Sequence, residues 1–304
     1  MTTVVVVCGE ALIDVIKDAD GAEHESAGGG PFNTARALAR LGVPVSFLGR
    51  LSTDAAGRRL RDLLASDGVD VRLASVGDEP TTRAIATIDA RGTDYAFETR
   101  GTSVPNLTLE MLPVQLGHDV DALHVGTLGL VLDPMASSLI DFVHRERDRR
   151  LIMLDPNIRA GIAPDGEYRG RLGAVIAMST AVKASEADLS WLYPGLSYEQ
   201  AASRLVDEGV GLVVVTLGQR GAFGAHRDLR LHVPAPHVTV VDTIGAGDAF
   251  GAGLLAWLHD HGALSADVSL DRDELEAALA YACRVAAITC TRRGADPPWK
   301  RELD

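Results

Sequence analysis

The stretch from Val241 to Phe250 carries the residue types and spacing best suited to chemistry in this sequence. Gly245 and Gly247 stand where an extended segment gives way to an apolar helical pattern, so backbone N–H groups can converge at a helix N-terminus. The helix dipole also favours anions there, which suits a phosphate group. Asp248 follows directly. Its carboxylate would repel a bound phosphate, so its presence there makes sense only if the reaction requires it. A base beside an anion site is what phosphoryl transfer from a nucleotide to a hydroxyl requires.

Other interpretations of this stretch exist. An Asp after a glycine-rich turn is also an ordinary helix-capping residue. A dinucleotide-binding fingerprint needs Gly-x-Gly-x-x-Gly, but position 250 is Phe and the stretch comes late in the chain. No Gly-Lys pair occurs anywhere, so a Walker A loop is absent. Without its lysine, helix-terminus amides and metal ions would have to balance the phosphate charge.

The elements that position this stretch follow an alternating pattern. Short apolar runs alternate with helical patterns, which predicts βα units, a parallel sheet and helices on both of its faces. The predicted strands are residues 4–8, 45–49, 122–125, 151–154, 181–182 and 212–216. The predicted helices are residues 34–41, 57–66, 134–147, 198–208, 248–260 and 272–291.

Two segments do not fit this alternation. Residues 14–27 are polar and glycine-rich, whereas residues 81–98 alternate apolar and polar side chains and predict a hairpin that turns at residues 90–93. We expect the two to form a small antiparallel flap over the sheet edge. Because no linker or repeat interrupts the chain, residues 1–304 are predicted to be one domain, with a lid from roughly 14–27 and 81–100.

Charge and cysteine usage narrow the class of protein. The formal net charge of −13 argues against a surface for nucleic acid or anionic membranes. Cys8, Cys283 and Cys290 share no metal-ligand spacing and imply no disulfide framework, which fits a reducing compartment. No apolar run approaches 18 residues, so we expect a cytoplasmic protein. The nine histidines form no ligand constellation and are expected on the surface or in loops.

Residues 242–248 (Asp-Thr-Ile-Gly-Ala-Gly-Asp) resemble the C-terminal signature of the PfkB/ribokinase family of carbohydrate kinases. Residues 28–35 (Gly-Gly-Gly-Pro-Phe-Asn-Thr-Ala) resemble its N-terminal signature, in the right order and some 200 residues earlier. The resemblance covers nearly the whole chain and is greatest to bacterial fructokinases. It implies a ribokinase-like three-layer α/β sandwich, a mainly parallel sheet of nine strands, a β-lid, and ATP-dependent phosphorylation of a sugar-like alcohol with Mg²⁺.

The resemblance also implies catalytic roles. Asp248 corresponds to the catalytic base, and the amides of Gly245, Ala246 and Gly247 correspond to the anion hole. At a helix N-terminus we expect the pKa of Asp248 to be lowered, which makes it a weak base. A weak base suffices in a loose transition state, because the hydroxyl proton leaves late and positioning does most of the work.

For the sugar, the matching residues lie in three regions. Asp14 corresponds to an Asp that grips two hydroxyls, while an Asn offers both a donor and an acceptor. The set is completed by Arg159, which follows the strand at 151–154, and by Phe97 and Arg100 of the lid. The predicted substrate-binding residues are Asp14, Gly29 through its backbone, Asn33, Phe97, Arg100 and Arg159.

For the nucleotide and the ions, the resemblance is less regular. The family's Asn-x-x-Glu is Ser185-x-x-Asp188 in this chain, so we expect Asp188 to contact Mg²⁺ through water. The predicted nucleotide-binding residues are Ser185, Thr216, Gly218 and Gly221. Residues Asp242, Ile244, Thr289 and Gly294 match a monovalent-cation loop of some members, and the sequence leaves open whether K⁺ binds.

The function favoured by these residues is transfer of the γ-phosphate of ATP to a small sugar, with fructose first. Arg159 and Arg100 could instead clamp the carboxylate of 2-keto-3-deoxygluconate, and a ribokinase or nucleoside kinase stays open. A non-catalytic sugar- or nucleotide-binding regulator and an NAD-dependent oxidoreductase are the remoter classes. We also expect a homodimer through the lid, whose hairpin carries the apolar residues Ile85, Ile88, Tyr95 and Phe97.

Overall fold

The computed structural model describes residues 3–17, 23–89, 92–159 and 161–303, without the side chains of 86–89 and 92–95. The strands are β1 (Val4–Cys8), β2 (Leu12–Lys17), β3 (Glu23–Gly28), β4 (Val45–Leu48), β5 (Arg50–Ser52), β6 (Ser75–Gly77), β7 (Arg83–Asp89), β8 (Gly92–Glu98), β9 (Val120–Gly126), β10 (Leu151–Asp155), β11 (Ala181–Ser185), β12 (Leu212–Thr216), β13 (Ala222–His226) and β14 (Leu229–Val233). The α-helices are α1 (Gly30–Arg40), α2 (Ala55–Asp67), α3 (Met135–Glu146), α4 (Asp165–Ile176), α5 (Glu186–Leu192), α6 (Tyr198–Asp207), α7 (Ala246–Asp260) and α8 (Arg272–Cys290).

The central sheet has the order β14-β13-β12-β11-β10-β9-β1-β4. The pairs from β4 through β12 are parallel, and only the hairpin strands β13 and β14 run antiparallel at one edge. All six predicted strands are part of this sheet, which confirms the mainly parallel architecture. Within the described residues the sheet has eight strands, not the nine that the resemblance implied.

Helices cover both faces of this sheet, which confirms the three-layer sandwich. Because successive strand residues point to opposite faces, Val5 and Val7 of β1 pack in one apolar cluster and Val6 and Cys8 in the other. The first cluster includes α1, α2, α7 and α8, and the second includes α3, α4, α5 and α6. The helices α4 and α5 were not predicted, and α1 begins at Gly30, four residues earlier than expected.

A second sheet has the order β3-β2-β7-β8. The antiparallel pairing of β7 with β8 confirms the predicted hairpin, although its turn at residues 90–91 lies outside the described residues, as do residues 18–22 of the predicted lid. The expectation of an antiparallel flap is wrong for its central pair, because β2 and β7 run parallel. The long crossover between these two strands, through α1 and α2, permits that orientation.

The carboxyl ends of the parallel strands meet at one edge of the central sheet, the usual position of ligand sites in such folds. β9 and β10 end there at Gly126 and Asp155, which are register partners. The N-termini of α1 and α7 lie at the same edge, since a hydrogen bond joins their first turns. None of the helices in the described part of the chain combines the length and hydrophobicity of a bilayer-spanning segment.

Candidate active site

The glycine-rich stretch before Asp248 forms the predicted helix start. Gly245 precedes α7 with a left-handed φ of 75°, and a Cβ there would lie 2.5 Å from the Ala295 Cβ, so this position requires glycine. Asp248 is the third residue of α7. The amide of Ala246 donates to the Thr243 carbonyl oxygen at 3.2 Å, so an anion would compete with that bond. The first-turn amides of Gly247 and Asp248 have no carbonyl partner within an α-helix.

Asp248 is buried and is held by a residue from the other signature. Asn33 Nδ2 on α1 donates to Asp248 Oδ2 at 2.8 Å, and both side chains are buried. The Oδ1 of Asn33 has no hydrogen-bond partner among the described residues. The structure therefore joins the two signatures and leaves an acceptor atom of Asn33 available beside the carboxylate.

The expectation of a lowered pKa for Asp248 is wrong. The pKa of this carboxyl is raised to about 6, chiefly by burial and next by the nearby Asp155 carboxylate, whereas Asn33 and the cations Lys183 and Arg159 oppose the increase. Loss of water around the carboxylate outweighs the helix N-terminus, because desolvation penalises the charged form strongly in a closed site. A pKa near neutrality makes Asp248 a better base than the sequence suggested.

Asp14 and Arg159 lie on the lid side of this site. Asp14 of β2 packs so closely on Gly28 that a Cβ at that glycine would lie 1.9 Å from Asp14 Oδ2. Burial raises the pKa of the Asp14 carboxyl to about 6, and the charge of Arg159 opposes that shift. Arg159 is exposed and also acts on Asp248. The structure thus brings Asp14, Asn33, Arg159 and Asp248 around one region.

The glycines of the first signature provide space in this region. Gly29 has a φ of 109°, and a Cβ there would lie 2.8 Å from the Glu10 carbonyl oxygen. A Cβ at Gly30 would lie 2.7 Å from Thr127 Oγ1 and 3.4 Å from Asp248 Oδ1. Any side chain at Gly30 would therefore fill the space in front of Asp248 Oδ1.

Thr127 and Asn157 are site residues that the sequence analysis missed. Both are non-glycine residues with positive φ, 52° and 36°, and each follows the last residues of a central strand. Asn157 Nδ2 donates to Thr127 Oγ1 at 3.4 Å. Such backbone conformations are costly and concentrate where a side chain must be aimed. The sequence does contain a turn signal at Asn157, which follows Pro156 and is of a type enriched at positive φ. No comparable signal exists at Thr127.

Glu10 was also missed, although a charged residue separated from the apolar run 4–8 only by Gly9 was a readable signal. It is 1% exposed, and its two oxygens accept the amides of Gly30 and Gly129, each at 3.2 Å. Burial raises the pKa of the Glu10 carboxyl to about 8 against these two hydrogen bonds. Glu10 therefore fixes the segment that carries Gly30.

The predicted lid residues are less closely connected. Phe97 of β8 is half-buried and packs against the core cluster beneath it. Arg100 is exposed in the turn after β8. No hydrogen bond or ion pair of the described residues links Arg100 to Asp14, Asn33 or Asp248, so its role stays a prediction.

The residues predicted to contact the nucleotide lie after β11 and β12. Thr216 ends β12, and Gly218 and Gly221 form the tight turn into β13 with φ of 57° and 98°. A Cβ at Gly221 would lie 2.0 Å from the Val233 carbonyl oxygen, so a larger residue cannot occupy that turn. The turn is tied to α5 by the ion pair between Arg220 and Glu186.

Ser185 and Asp188 form a capping box at the start of α5. Asp188 Oδ2 accepts the Ser185 amide at 2.8 Å and its hydroxyl at 2.6 Å, and Oδ1 accepts the Ile158 amide at 2.8 Å. The carboxylate therefore ties α5 to the segment after β10. Only its remaining lone pairs could accept from a metal-bound water.

The predicted cation loop is assembled in part. Asp242 accepts the amides of Ile244 at 3.0 Å and Gly294 at 2.8 Å; burial would raise its pKa, but the backbone donors lower it overall. Thr289 is buried within α8, and its hydroxyl donates to the Val285 carbonyl at 2.9 Å, so this side chain is occupied. Across the described part of the chain, no group of three or more His, Cys, Asp or Glu side chains is arranged to hold a metal ion.

Asp248 offers a buried carboxylate in the first turn of a glycine-bounded helix, beside unpaired helix amides, and this arrangement suits phosphoryl transfer to a hydroxyl. The chain belongs to the pfkB family carbohydrate kinases, whose sequence profile matches residues 2–301. It is an ATP-dependent sugar kinase.

Relatives and solved structures agree with this class. A fructokinase of Rhizobium leguminosarum bv. trifolii is 39% identical over 256 residues, which covers 83% of this chain and 78% of that protein. A fructokinase of Vibrio cholerae O395 with fructose, ADP and calcium ion bound is similar with a TM-score of 0.85 at 28% identity, over 97% of this chain and 94% of that one. An aminoimidazole riboside kinase of Salmonella enterica, complexed with aminoimidazole riboside and an ATP analogue, has a TM-score of 0.85 at 27% identity, over 99% and 98%.

Proposed function

We propose that this sugar kinase is a fructokinase, which transfers the γ-phosphoryl group of ATP to a hydroxyl of fructose. The proposal is supported by the similarity to fructokinases, one of them with fructose bound. The observation that carries the chemistry is the buried contact of 2.8 Å between Asn33 and Asp248.

In the proposed mechanism, Asp248 accepts the proton of the attacking hydroxyl. Asn33 holds one carboxylate oxygen, so the other, Oδ1, is directed to the space beside Gly30. Asp14 accepts from two further hydroxyls of the sugar, with Gly29 and Arg159 beside it. The amides of Gly245, Ala246 and Gly247 stabilise the charge on the transferred phosphoryl group. Because this transition state is loose, alignment contributes more than base strength.

For the nucleotide, we propose contacts from Ser185, Thr216, Gly218 and Gly221, and Mg²⁺ as the metal of the ATP complex. Mg²⁺ keeps most of its waters and prefers phosphate and carboxylate oxygens. The carboxylate of Asp188 is the proposed acceptor of one such water, since its protein hydrogen bonds leave lone pairs free. When bound, the metal would neutralise charge on the phosphates. A K⁺ ion at the Asp242 loop would, in this proposal, be held by backbone carbonyl oxygens alone.

We further propose one domain with a lid, a homodimer through that lid, and a cytoplasmic location. Of the four apolar hairpin residues, Ile85 and Phe97 pack against the chain's own core, and the side chains of Ile88 and Tyr95 lie outside the description. Sedimentation of the wild-type chain tests the proposed dimer, and a monomeric chain would contradict it. The free state of Cys8, Cys283 and Cys290 supports a reducing compartment.

The deciding experiment measures ADP release from Mg-ATP with fructose, ribose, 2-keto-3-deoxygluconate, tagatose, inosine and aminoimidazole riboside. We expect fructose to give the highest kcat/KM. The similarity to an aminoimidazole riboside kinase makes a riboside the second candidate, and a higher kcat/KM for it would replace fructose. Turnover of none, with ATP still bound, would contradict a fructokinase.

A further inference from the structure

Lys183 and Asp155 form a buried ion pair under the active site. They are near or at the ends of the neighbouring parallel strands β11 and β10. Lys183 Nζ donates to Asp155 Oδ2 at 2.7 Å, and both side chains are at most 6% exposed. Asp155 Oδ1 is buried without a hydrogen-bond partner among the described residues. A buried pair of this kind is costly to form and needs a reason beyond stability.

The ammonium of Lys183 lies directly beneath the first turn of α7. A Cβ at Gly247 would be 3.2 Å from Lys183 Nζ, and one at Gly251 would be 3.8 Å from its Cδ. The stem of Lys183 therefore runs along the underside of the turn that carries Asp248. No Gly-Lys pair occurs in the sequence, and Lys183 places a buried cation beneath this turn instead.

Four titratable side chains face Asp248, and they differ in charge and in exposure. Its negative neighbour is Asp155 from β10, and its positive neighbours are Lys183 from β11 and Arg159 from the segment after β10. Glu10 from the segment after β1 also faces Asp248, but it keeps its proton up to a pH of about 8. Arg159 is exposed and screened by water. Lys183 is therefore the buried cation among these four.

The neighbouring His124 does not share this task. It is buried in β9, contrary to the expected surface position of the histidines, and burial together with Lys183 lowers its pKa to about 3. It is neutral at working pH. Burial alone would also lower the pKa of Lys183, but the Asp155 carboxylate raises it overall, so the ammonium stays charged.

We propose that Lys183, held by Asp155, is a positioning residue whose buried ammonium supplies the positive charge that the buried Asp248 carboxylate needs in the first turn of α7. The inference rests on the proposed role of Asp248 as the base. Lys183 acts through Asp248 and not by contact with the substrate. The two members of the pair act on Asp248 with opposite sign.

The test compares Lys183→Met, Asp155→Asn and the double variant through the pH dependence of fructose phosphorylation. Lys183→Met removes the favourable charge, so the acid limb of kcat/KM moves up by about one pH unit. Its activity loss is then about fivefold at pH 6, approaches about tenfold at lower pH and shrinks towards pH 9. Asp155→Asn moves the limb down. In the double variant the two effects cancel, and the melting temperature rises above that of Lys183→Met because no buried charge is left unpaired.

Two controls separate this from a structural effect. Lys183→Arg keeps the charge and should retain a limb close to that of the wild type. Arg150→Met breaks a comparable buried pair, Arg150–Glu146 at 2.6 Å, at the opposite end of β10, and should lower stability without moving the limb. If Lys183→Met and Asp155→Asn both leave the acid limb at the wild-type pH, as we expect for Arg150→Met, the proposal is wrong.

A second readout does not depend on turnover. Carboxyl ¹³C NMR follows the titration of Asp248, assigned by the signal that Asp248→Asn loses. The titration midpoint should move in opposite directions in Lys183→Met and Asp155→Asn, and an unmoved midpoint overturns the proposal. Failure of the proposed function has a different signature. Wild type would then not favour fructose, or Asp248→Asn would keep its turnover, while the shifts of the NMR titration midpoint persist.

Discussion

Asn33 Nδ2 donates a hydrogen bond of 2.8 Å to Asp248 Oδ2 across 215 positions of sequence. The bond joins the first turns of α1 and α7, which also pack against each other in one apolar cluster. Each helix begins at a glycine-rich segment that follows an extended segment. The contact therefore joins the two signatures: one carries Asp248, the proposed base, and the other carries Asn33, which holds one of its carboxylate oxygens.

Replacing Asp248 by Asn should remove the base and keep the fold. The Asn side chain has nearly the same shape, and loss of a general base lowers kcat by about 10²–10⁴-fold. ADP release with saturating fructose and Mg-ATP measures the effect, and the melting curve checks the fold. Turnover within a few-fold of wild type would exclude Asp248 as the base.

Much of this arrangement could be predicted from the sequence. The six buried strands are short apolar runs bounded by turns, and such a pattern specifies a parallel sheet. The residues Asn33 and Asp248 were found because each lies in a signature with an unusual density of glycine. Lys183 directly follows the predicted strand 181–182, and a charged residue in that position was a readable signal that the sequence analysis did not use.

What could not be predicted depends on distant segments meeting. The raised pKa of Asp248 requires its burial beneath α1 and beside Asp155, which no local pattern encodes. The positive φ of Thr127 and Asn157 follows from how two adjacent strands end. The parallel pairing of β2 with β7 likewise depends on the path of the intervening chain.

The activity should fall as the pH drops through about 6. Asp248 must be ionised to accept a proton, and its pKa of about 6 means that acid protonates it in this range. The acid limb of kcat/KM for fructose, measured with Mg-ATP kept saturating, reports this. Asp14 titrates in the same range. Asp14→Asn should raise the KM for fructose yet leave the limb in place; a lost limb would assign it to Asp14.

Gly30→Ala should block the acceptor. Its methyl group would lie 2.7 Å from Thr127 Oγ1 and 3.4 Å from both Asp248 Oδ1 and Asn157 Nδ2. We expect kcat/KM for fructose to fall by about 10²-fold, since small displacements of reacting groups are costly, while ATP binding is unchanged. Gly173→Ala in α4 is the matched control, because nothing lies within 4 Å of its Cβ and α4 should gain stability. An active Gly30→Ala enzyme would contradict the location of the acceptor.

Glu10→Gln should change stability in a pH-dependent way. Because burial raises the pKa of Glu10 from 4.5 to about 8, the folded chain keeps a proton that the unfolded chain releases above pH 4.5. The contribution of Glu10 to the free energy of unfolding is therefore fully present below pH 4.5 and is lost as the pH rises to 8.

Gln does not titrate, but its amide nitrogen cannot accept the second of the two backbone amides, which costs about 1–3 kcal/mol. Between pH 5 and pH 9 the stability difference should thus shift toward the variant by more than about 1 kcal/mol. Urea unfolding at both pH values measures it, with the exposed Glu276→Gln as the control that shows no such shift. A stability difference that stays constant would mean that Glu10 is ionised in the folded protein throughout this range. The amides of Gly30 and Gly129 would then donate to a charged carboxylate.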